Sequence, residues 1–210
     1  MKYLLLPFVL IFVCYSPLFA QNPETPCWYG EMDIEFAYSG DETLSLFNLP
    51  NGNGSSFSNA QLPSGSYADA TITITLFDCN GDVVASFPAE DLWLESADGG
   101  LLACTGGTNP DEDTDENGVT FWSTPLMAAG TSLDNCVVLV SGSQLSEIQL
   151  PLHFNSADMN GDGQVNLADV AAFSGFFFGS YNFSADFFRD GELNISDVGR
   201  LAQGLGSSCP

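Results

Sequence analysis

Ala70-Thr71-Ile72-Thr73-Ile74-Thr75-Leu76 alternates apolar side chains with hydroxyls over a full strand length, the pattern of a half-buried β-strand. Asp78-Cys79-Asn80-Gly81-Asp82 follows as a turn signal and Val83-Val84-Ala85-Ser86-Phe87 as a second apolar run, so the segment reads as a hairpin. Working outward, further short β-type runs stand at Asp33–Tyr38, Asp91–Leu94, Gly118–Trp122, Cys136–Val140 and Glu147–Leu150. They are separated by Gly, Pro, Asn, Asp and Ser clusters, and no helical period runs through residues 21–154. Roughly seven or eight short strands predict a mainly β fold, a β-sandwich.

The chain before that region carries one cation, Lys2, then the apolar stretch Leu4–Val13, then Pro17-Leu18-Phe19-Ala20. This reads as a secretory signal peptide over residues 1–20, with an apolar run too short for a comfortable membrane span. The mature protein is expected to begin at Gln21, to be secreted or held at the cell surface, and to have no transmembrane span once the signal is cleaved. Arg189 and Arg200 are then its only basic side chains against 27 acidic ones, which excludes a nucleic-acid binder on charge alone.

Cys27, Cys79, Cys104, Cys136 and Cys209 remain after the signal. In an exported chain with no CxxC pair and with His153 as its single imidazole, these are disulfide candidates rather than metal thiolates. Five is odd, so one thiol is free or intermolecular. Proximity in sequence favours Cys79 with Cys104.

The residues that carry chemistry begin at Asp158. Asp-Met-Asn-Gly-Asp-Gly-Gln-Val-Asn-Leu-Ala-Asp, ending at Asp169, fits a twelve-residue calcium loop position by position. Calcium takes six to eight hard oxygens, and alternate loop positions supply them: Asp158, Asn160 and Asp162, the Gln164 carbonyl, Asn166, and Asp169 at the twelfth. Gly163 stands at the sixth position, where the chain turns sharply, and Val165 at the apolar eighth.

The segment repeats 28 residues later, Ser156-Ala157-Asp158 matching Ser184-Ala185-Asp186 and Asn166-x-x-Asp169-Val170 matching Asn194-x-x-Asp197-Val198. Each copy runs into a short helix, with Leu167, Val170, Phe173 and Phe177 on one face of the first and Ile195, Val198, Leu201, Ala202 and Leu205 on one face of the second. Asn166 and Asn194 are N-cap candidates, with Asp169 and Asp197 favoured in the first turn by the helix dipole. The second loop departs from the first. Phe188 stands where the third ligand belongs, leaving Asp186, Asp190, the Glu192 carbonyl, Asn194 and Asp197; absent binding and a water-completed site both stay open. Phe176–Phe178, Phe183, Phe187 and Phe188 are expected to supply core.

Over about residues 155–206 the chain resembles type I dockerins, which are tandem calcium-loop-plus-helix modules. The resemblance implies a small α-helical domain with two EF-hand-type loops over 155–210, Ca2+ as the ion, and a cohesin-like protein or cell-surface scaffold as partner. It also implies that Leu167, Ala168, Ile195 and Ser196, at the tenth and eleventh loop positions, contribute to partner recognition. Residues 68–154, from the Ala70–Leu76 strand through Thr114-Asp115-Glu116-Asn117-Gly118 to the Val137–Val140 strand, are similar to bacterial immunoglobulin-like adhesion repeats. That implies an immunoglobulin-like β-sandwich within a first domain spanning 21–154, in which Asn51–Ser56 reads as linker-like.

Weaker signals complete the reading. Asp111–Gly118 is either a second kind of calcium turn or a solvated acidic loop, the latter favoured because Trp122 stands where a closing carboxylate belongs. Trp28, Trp93 and Trp122 could stack on sugar rings, although strand positions favour a core role for Trp93 and Trp122. His153 has no nucleophile elbow beside it, and no glycine loop cradles phosphate, so no enzymatic activity is expected. The function expected is that of a secreted, non-catalytic adaptor that attaches through a calcium-binding module. The alternatives are a carbohydrate-binding accessory of polysaccharide degradation, with a glycan as ligand, and a purely structural calcium-clipped protein.

Overall fold

The computed structural model describes residues 30–210. The signal-type segment 1–20, Cys27 and Trp28 lie outside the described residues. Within them the chain is mainly β, with two short helices at its C-terminal end. The strands are β1 (Glu31–Phe36), β2 (Leu44–Asn48), β3 (Ala60–Gln61), β4 (Tyr67–Ala68), β5 (Ile72–Phe77), β6 (Leu92–Ser96), β7 (Leu101–Ala103), β8 (Val119–Trp122), β9 (Ala128–Gly130), β10 (Cys136–Val140) and β11 (Leu152–Ser156). Helices α1 (Leu167–Phe177) and α2 (Ile195–Gly204) follow.

The alternating stretch behaves as its period requires. β5 is the middle strand of an antiparallel sheet ordered β1-β5-β8, with Ile72, Ile74 and Leu76 buried and Thr73 and Thr75 half-buried on the other face. The expected hairpin is cut short. Asp78 accepts the Asn80 and Asp82 amides at 2.7 and 3.0 Å, and Val84 N–H donates to the Leu76 carbonyl at 2.9 Å. At Ser86 the backbone turns left-handed (φ 57) and its N–H bonds Thr114, so β8 takes the rest of that edge of β5.

Three more small sheets complete the β part: β10 with β6, β7 with β9, and β11-β2-β3-β4. The Glu147–Leu150 run forms no strand; only Leu150 bridges, to Cys136. β2 and β11 were not legible as strands, and they pair in parallel from Leu44↔Leu152 to Asn48↔Ser156. All five residues of β2 are buried, because the strand lies between two cores and has no solvent face to give it an alternating pattern.

The larger core gathers Leu44 and Leu46 of β2, the inward side chains of β5, β6 and β10, Trp122 of β8, and Leu152 and Phe154 of β11. The second core takes Phe47 and Leu49 from the far side of β2 and packs them against Ala157, Val165, Phe173, Ala185, Phe187 and Leu201. β2 is therefore shared. The boundary drawn at 154/155 falls inside β11, and the C-terminal unit is seated on the β part rather than tethered to it. The Asn51–Ser56 stretch is likewise no linker. Ser55 N–H donates to Phe47 O at 2.7 Å, and Gly54 crosses so close that a Cβ there would stand 2.4 Å from the same carbonyl.

The cysteines correct the expected pairing. Cys104 bonds Cys209, not Cys79, across a sequence separation of 105. Cys79 is itself disulfide-bonded. Among the described residues Cys136 is the free thiol, buried in the larger core, and burial pushes its ionisation far above the usual thiol range. Sequence proximity failed because the C-terminal tail folds back onto the loop after β7.

Candidate metal centre

The loop Asp158–Asp169 is built by its own side chains. Asp158, fully buried, accepts the amides of Gly161 (2.9 Å) and Asp162 (3.2 Å) on one carboxylate oxygen and that of Gly163 (2.7 Å) on the other. Asp169, equally buried, accepts Met159 and Asn160 on Oδ1 at 2.9 and 3.2 Å and Asn166 on Oδ2 at 2.9 Å. Asn160 and Asp162 bond each other, and Asp162 Oδ1 accepts the Gln164 amide at 3.0 Å. Gly163 has φ +84, a left-handed conformation that explains the glycine at the sixth position.

The helix starts come out as the sequence requires. Asn166 caps α1 and Asn194 caps α2, each in a reciprocal capping box with Asp169 or Asp197. The predicted helical faces need correcting at their first members and, in α2, at Ala202 and Leu205, which are exposed; Phe178, expected in the core, is 85% exposed. Leu167 and Ile195 are 81% and 78% exposed, whereas Phe173 and Leu201 are buried in the second core. Ala168 and Ser196 are exposed beside them, so all four tenth- and eleventh-position residues stand on the surface.

Two buried carboxylates on one short loop, with Asp162 beside them, form a concentrated negative charge. Burial pushes the Asp158 carboxyl above its ordinary value, and Asp169 and Asp162 push it further, against the loop amides that hold it down. The arginines are engaged elsewhere. The donors of the loop are all hard oxygens with no nitrogen or sulfur ligand, a set suited to calcium rather than to a transition metal. Among the described residues no group of three or more His, Cys, Asp or Glu side chains stands together as a ready cage. The carboxylates are spaced along the loop, with Asn160 and the Gln164 carbonyl between them, and bonded to its amides.

The second loop keeps the same scaffold and spends its variable positions differently. Asp186 accepts the Asp190 and Gly191 amides at 3.2 and 3.0 Å, and Asp197 accepts Phe188 and Asn194 at 3.1 and 2.9 Å. Burial raises the Asp197 carboxyl as well. But Asp186 also accepts the Tyr181 hydroxyl at 2.8 Å, and burial with that carboxylate raises the Tyr181 phenol to about 12. Glu192, Asp190 and Asn194 stay at the exposed side of the loop. Phe188, in place of the third ligand, lies under Arg200, whose guanidinium sits 4.4 Å from its ring centroid and 5.0 Å from that of Phe47.

Arg189 occupies the fourth position, where the first loop has Gly161, and adopts the same left-handed backbone (φ 50). Its side chain donates to Thr43 O at 2.8 Å and to His153 Nδ1 at 3.2 Å and stacks on Phe183. Burial and that guanidinium hold the His153 imidazole down at about 4. Asn155 of β11 donates to the carbonyls of Phe183 and Asp186 at 2.7 and 3.0 Å. Both arginines of the described residues thus fasten the second loop to β2, β11 and the turn after β2. The lost ligand has become a fastening residue. Phe188→Asn should add a second calcium-binding event in calorimetric titration, yet lower the stability of the metal-free protein by about 1–2 kcal/mol as the stacked guanidinium loses its partner.

The first loop is fastened by different means. Val165 N–H donates to Ser207 O (2.8 Å), Gly206 N–H to Val165 O (2.9 Å) and Cys209 N–H to Gly163 O (2.9 Å), so the tail lies antiparallel along the loop through a single bridge, Gln164 with Ser208. The Cys104–Cys209 disulfide then ties that tail to the end of β7, and Gly130 of β9 donates to Asp158 O at 3.1 Å.

The other candidates separate cleanly. In Asp111–Gly118 the carboxylates turn to different partners: Asp111 to Ser123 and Thr124, Asp113 to the Ala89 amide, Asp115 to Asn117 and Val119. They do not converge. Trp122 is fully buried, its indole N–H donating to Thr108 O at 2.9 Å. Trp93 is only half-buried and borders a surface groove, which its strand position did not indicate.

No family model and no curated protein matches the chain. Among solved structures the chain is similar to the Lin-41 filamin domain, at 18% identity over 60% of this chain and 95% of that one, with a TM-score of 0.29, too low for the likeness to bear on the fold.

Proposed function

We propose that the protein is an exported, non-catalytic adaptor: an immunoglobulin-like β-sandwich carrying a dockerin-like unit that binds one calcium ion through Asp158–Asp169 and attaches to a cohesin-type partner. Asp158, Asn160, Asp162, the Gln164 carbonyl, Asn166 and Asp169 would hold the ion. Bound calcium neutralises the buried carboxylates. The chain's own residues do the rest: the Asn166–Asp169 capping box joins the loop to α1, and the tail holds the far side of the loop in place.

The observation that supports attachment is the matched exposure of Leu167 and Ile195. Two aliphatic side chains stand almost fully in solvent at equivalent positions of the two repeats, each at the first turn of its helix, while the inward faces of both helices are packed. Single exposed apolar residues are ordinary, but a repeated pair at one structural position suits a docking face.

The test is binding of the full chain to a panel of immobilised cohesin modules with and without calcium. Capture that requires calcium and is lost in Leu167→Asp/Ile195→Asp, with thermal stability within about 0.5 kcal/mol of the parent, is the expected result. Equal capture by the double variant would remove these residues from the interface. Absence of capture by every module would remove the cohesin-type partner.

A further inference from the structure

The groove beside Trp93 has no role in the adaptor reading, although two of its lining residues border the first loop, Leu102 against Gly161 and Cys104 through its disulfide to Cys209. It measures about 590 Å³, within the ordinary range for small-ligand clefts of about 300–1,000 Å³. β6 places Trp93 and Glu95 along one side, β7 places Leu102 across from them, and the loop after β7 closes one end with Asn109. Leu102 is 44% exposed.

The ring is held ready. Trp93 Nε1–H donates to the Glu95 carboxylate at 2.8 Å, fixing the indole against its own strand, and the ring edge lies beside Gly142. Trp93 pairs with Leu139 across β6 and β10, so its backbone belongs to a sheet rather than a mobile loop. Asn109 donates its side-chain amide to Ala89 O at 2.7 Å, which leaves its carbonyl oxygen as the end available to a ligand. Glu90 and Glu95 stand exposed at the margin.

The groove therefore has an apolar floor of indole and aliphatic groups and a rim of hydrogen-bond acceptors. A ligand that fits both needs a C–H face for the floor and several O–H donors for the rim. We propose that this groove is a binding site for a neutral glycan, one sugar ring stacked on Trp93 with its hydroxyls donating to Glu90, Glu95 and Asn109. Glu90 and Glu95 at the rim, in a chain of charge −24, disfavour uronic or sulfated sugars. Besides accepting from the sugar, Glu95 holds the indole through its Nε1–H.

The site is tested by calorimetric titration of the full chain with cellohexaose, xylohexaose and mannohexaose, in calcium and again in EDTA. At least one hexasaccharide should bind, with a dissociation constant of about 10 μM to 1 mM for so open a groove. Trp93→Ala should weaken it about tenfold or more, and Trp93→Tyr less. Trp93 and Glu95 belong to β6 and Glu90 to the turn before it, so binding should persist in EDTA, and the Trp93→Ala comparison made with and without calcium separates failure of this proposal from failure of the calcium reading. Should Trp93→Ala not fold, oxidation of the wild-type indoles by N-bromosuccinimide decides: the bound hexasaccharide must protect Trp93. No binding by any of the three sugars, binding undiminished in Trp93→Ala, or no protection of Trp93 would overturn the proposal. Binding of hexalysine that is lost in Trp93→Ala, with no binding of the sugars, would overturn it too and give the groove to a basic peptide.

Discussion

Cys209→Ser is expected to lower the stability of the oxidised protein by about 4–5 kcal/mol, the largest single effect in the molecule. The bond it removes closes 105 residues of sequence separation, and a loop of about 100 residues carries a chain-entropy term of about 4.7 kcal/mol. Cys104→Ser should match it, and the double variant should be no worse than either, because both lose the same cross-link. Urea unfolding with and without reductant measures the effect. A loss under about 1 kcal/mol would mean that the tail's backbone bonds to Gly163 and Val165 suffice to seat the C-terminal unit. Since the tail lies along the first loop, the same variants should also bind calcium less tightly than the parent.

Calcium itself is expected to have the next largest effect. At a free concentration one hundred times the dissociation constant it should stabilise the full chain by about 2.7 kcal/mol, a rise in Tm of roughly 5–10 °C for a protein of this size. The second core and β2 join the loop's unit to the β part, so the whole cooperative transition should move rather than a separate C-terminal one. Asp158→Asn should abolish the rise, because it removes a first-position carboxylate that is fully buried among the Gly161, Asp162 and Gly163 amides. A calcium-induced shift that survived Asp158→Asn would mean the ion binds elsewhere.

The readable and unreadable parts of the sequence divide along physical lines. The alternation of Ile72, Ile74 and Leu76 was legible because one face of β5 meets the core and the other faces outward. β2 was not, because Leu44–Asn48 is buried on both faces and alternates nothing. The turn at Gly163 and the two N-caps, Asn166 and Asn194, followed from fixed positions, where backbone turn and side-chain reach are local. The use of Phe188 did not, since its partner Arg200 lies in α2 and the second ring over that guanidinium, Phe47, in β2. The same limit governed the disulfide: Cys79 is nearer Cys104 in sequence, but β7 and the returning tail bring Cys209 to it. Arg189 and Arg200 were noted only as scarce cations, and their scarcity gains meaning from where they stand, both at the seam between the β part and the second loop.

The proposed calcium site is single and lies in the first loop, while the second loop is fastened to the β part by Arg189 and Arg200. Calorimetric titration of the EDTA-stripped full chain with CaCl2 tests it most directly. A single binding event per chain, lost in Asp162→Ala and joined by a second in Phe188→Asn, is the predicted result; two equivalent sites in the parent, or no binding at millimolar calcium, would contradict it.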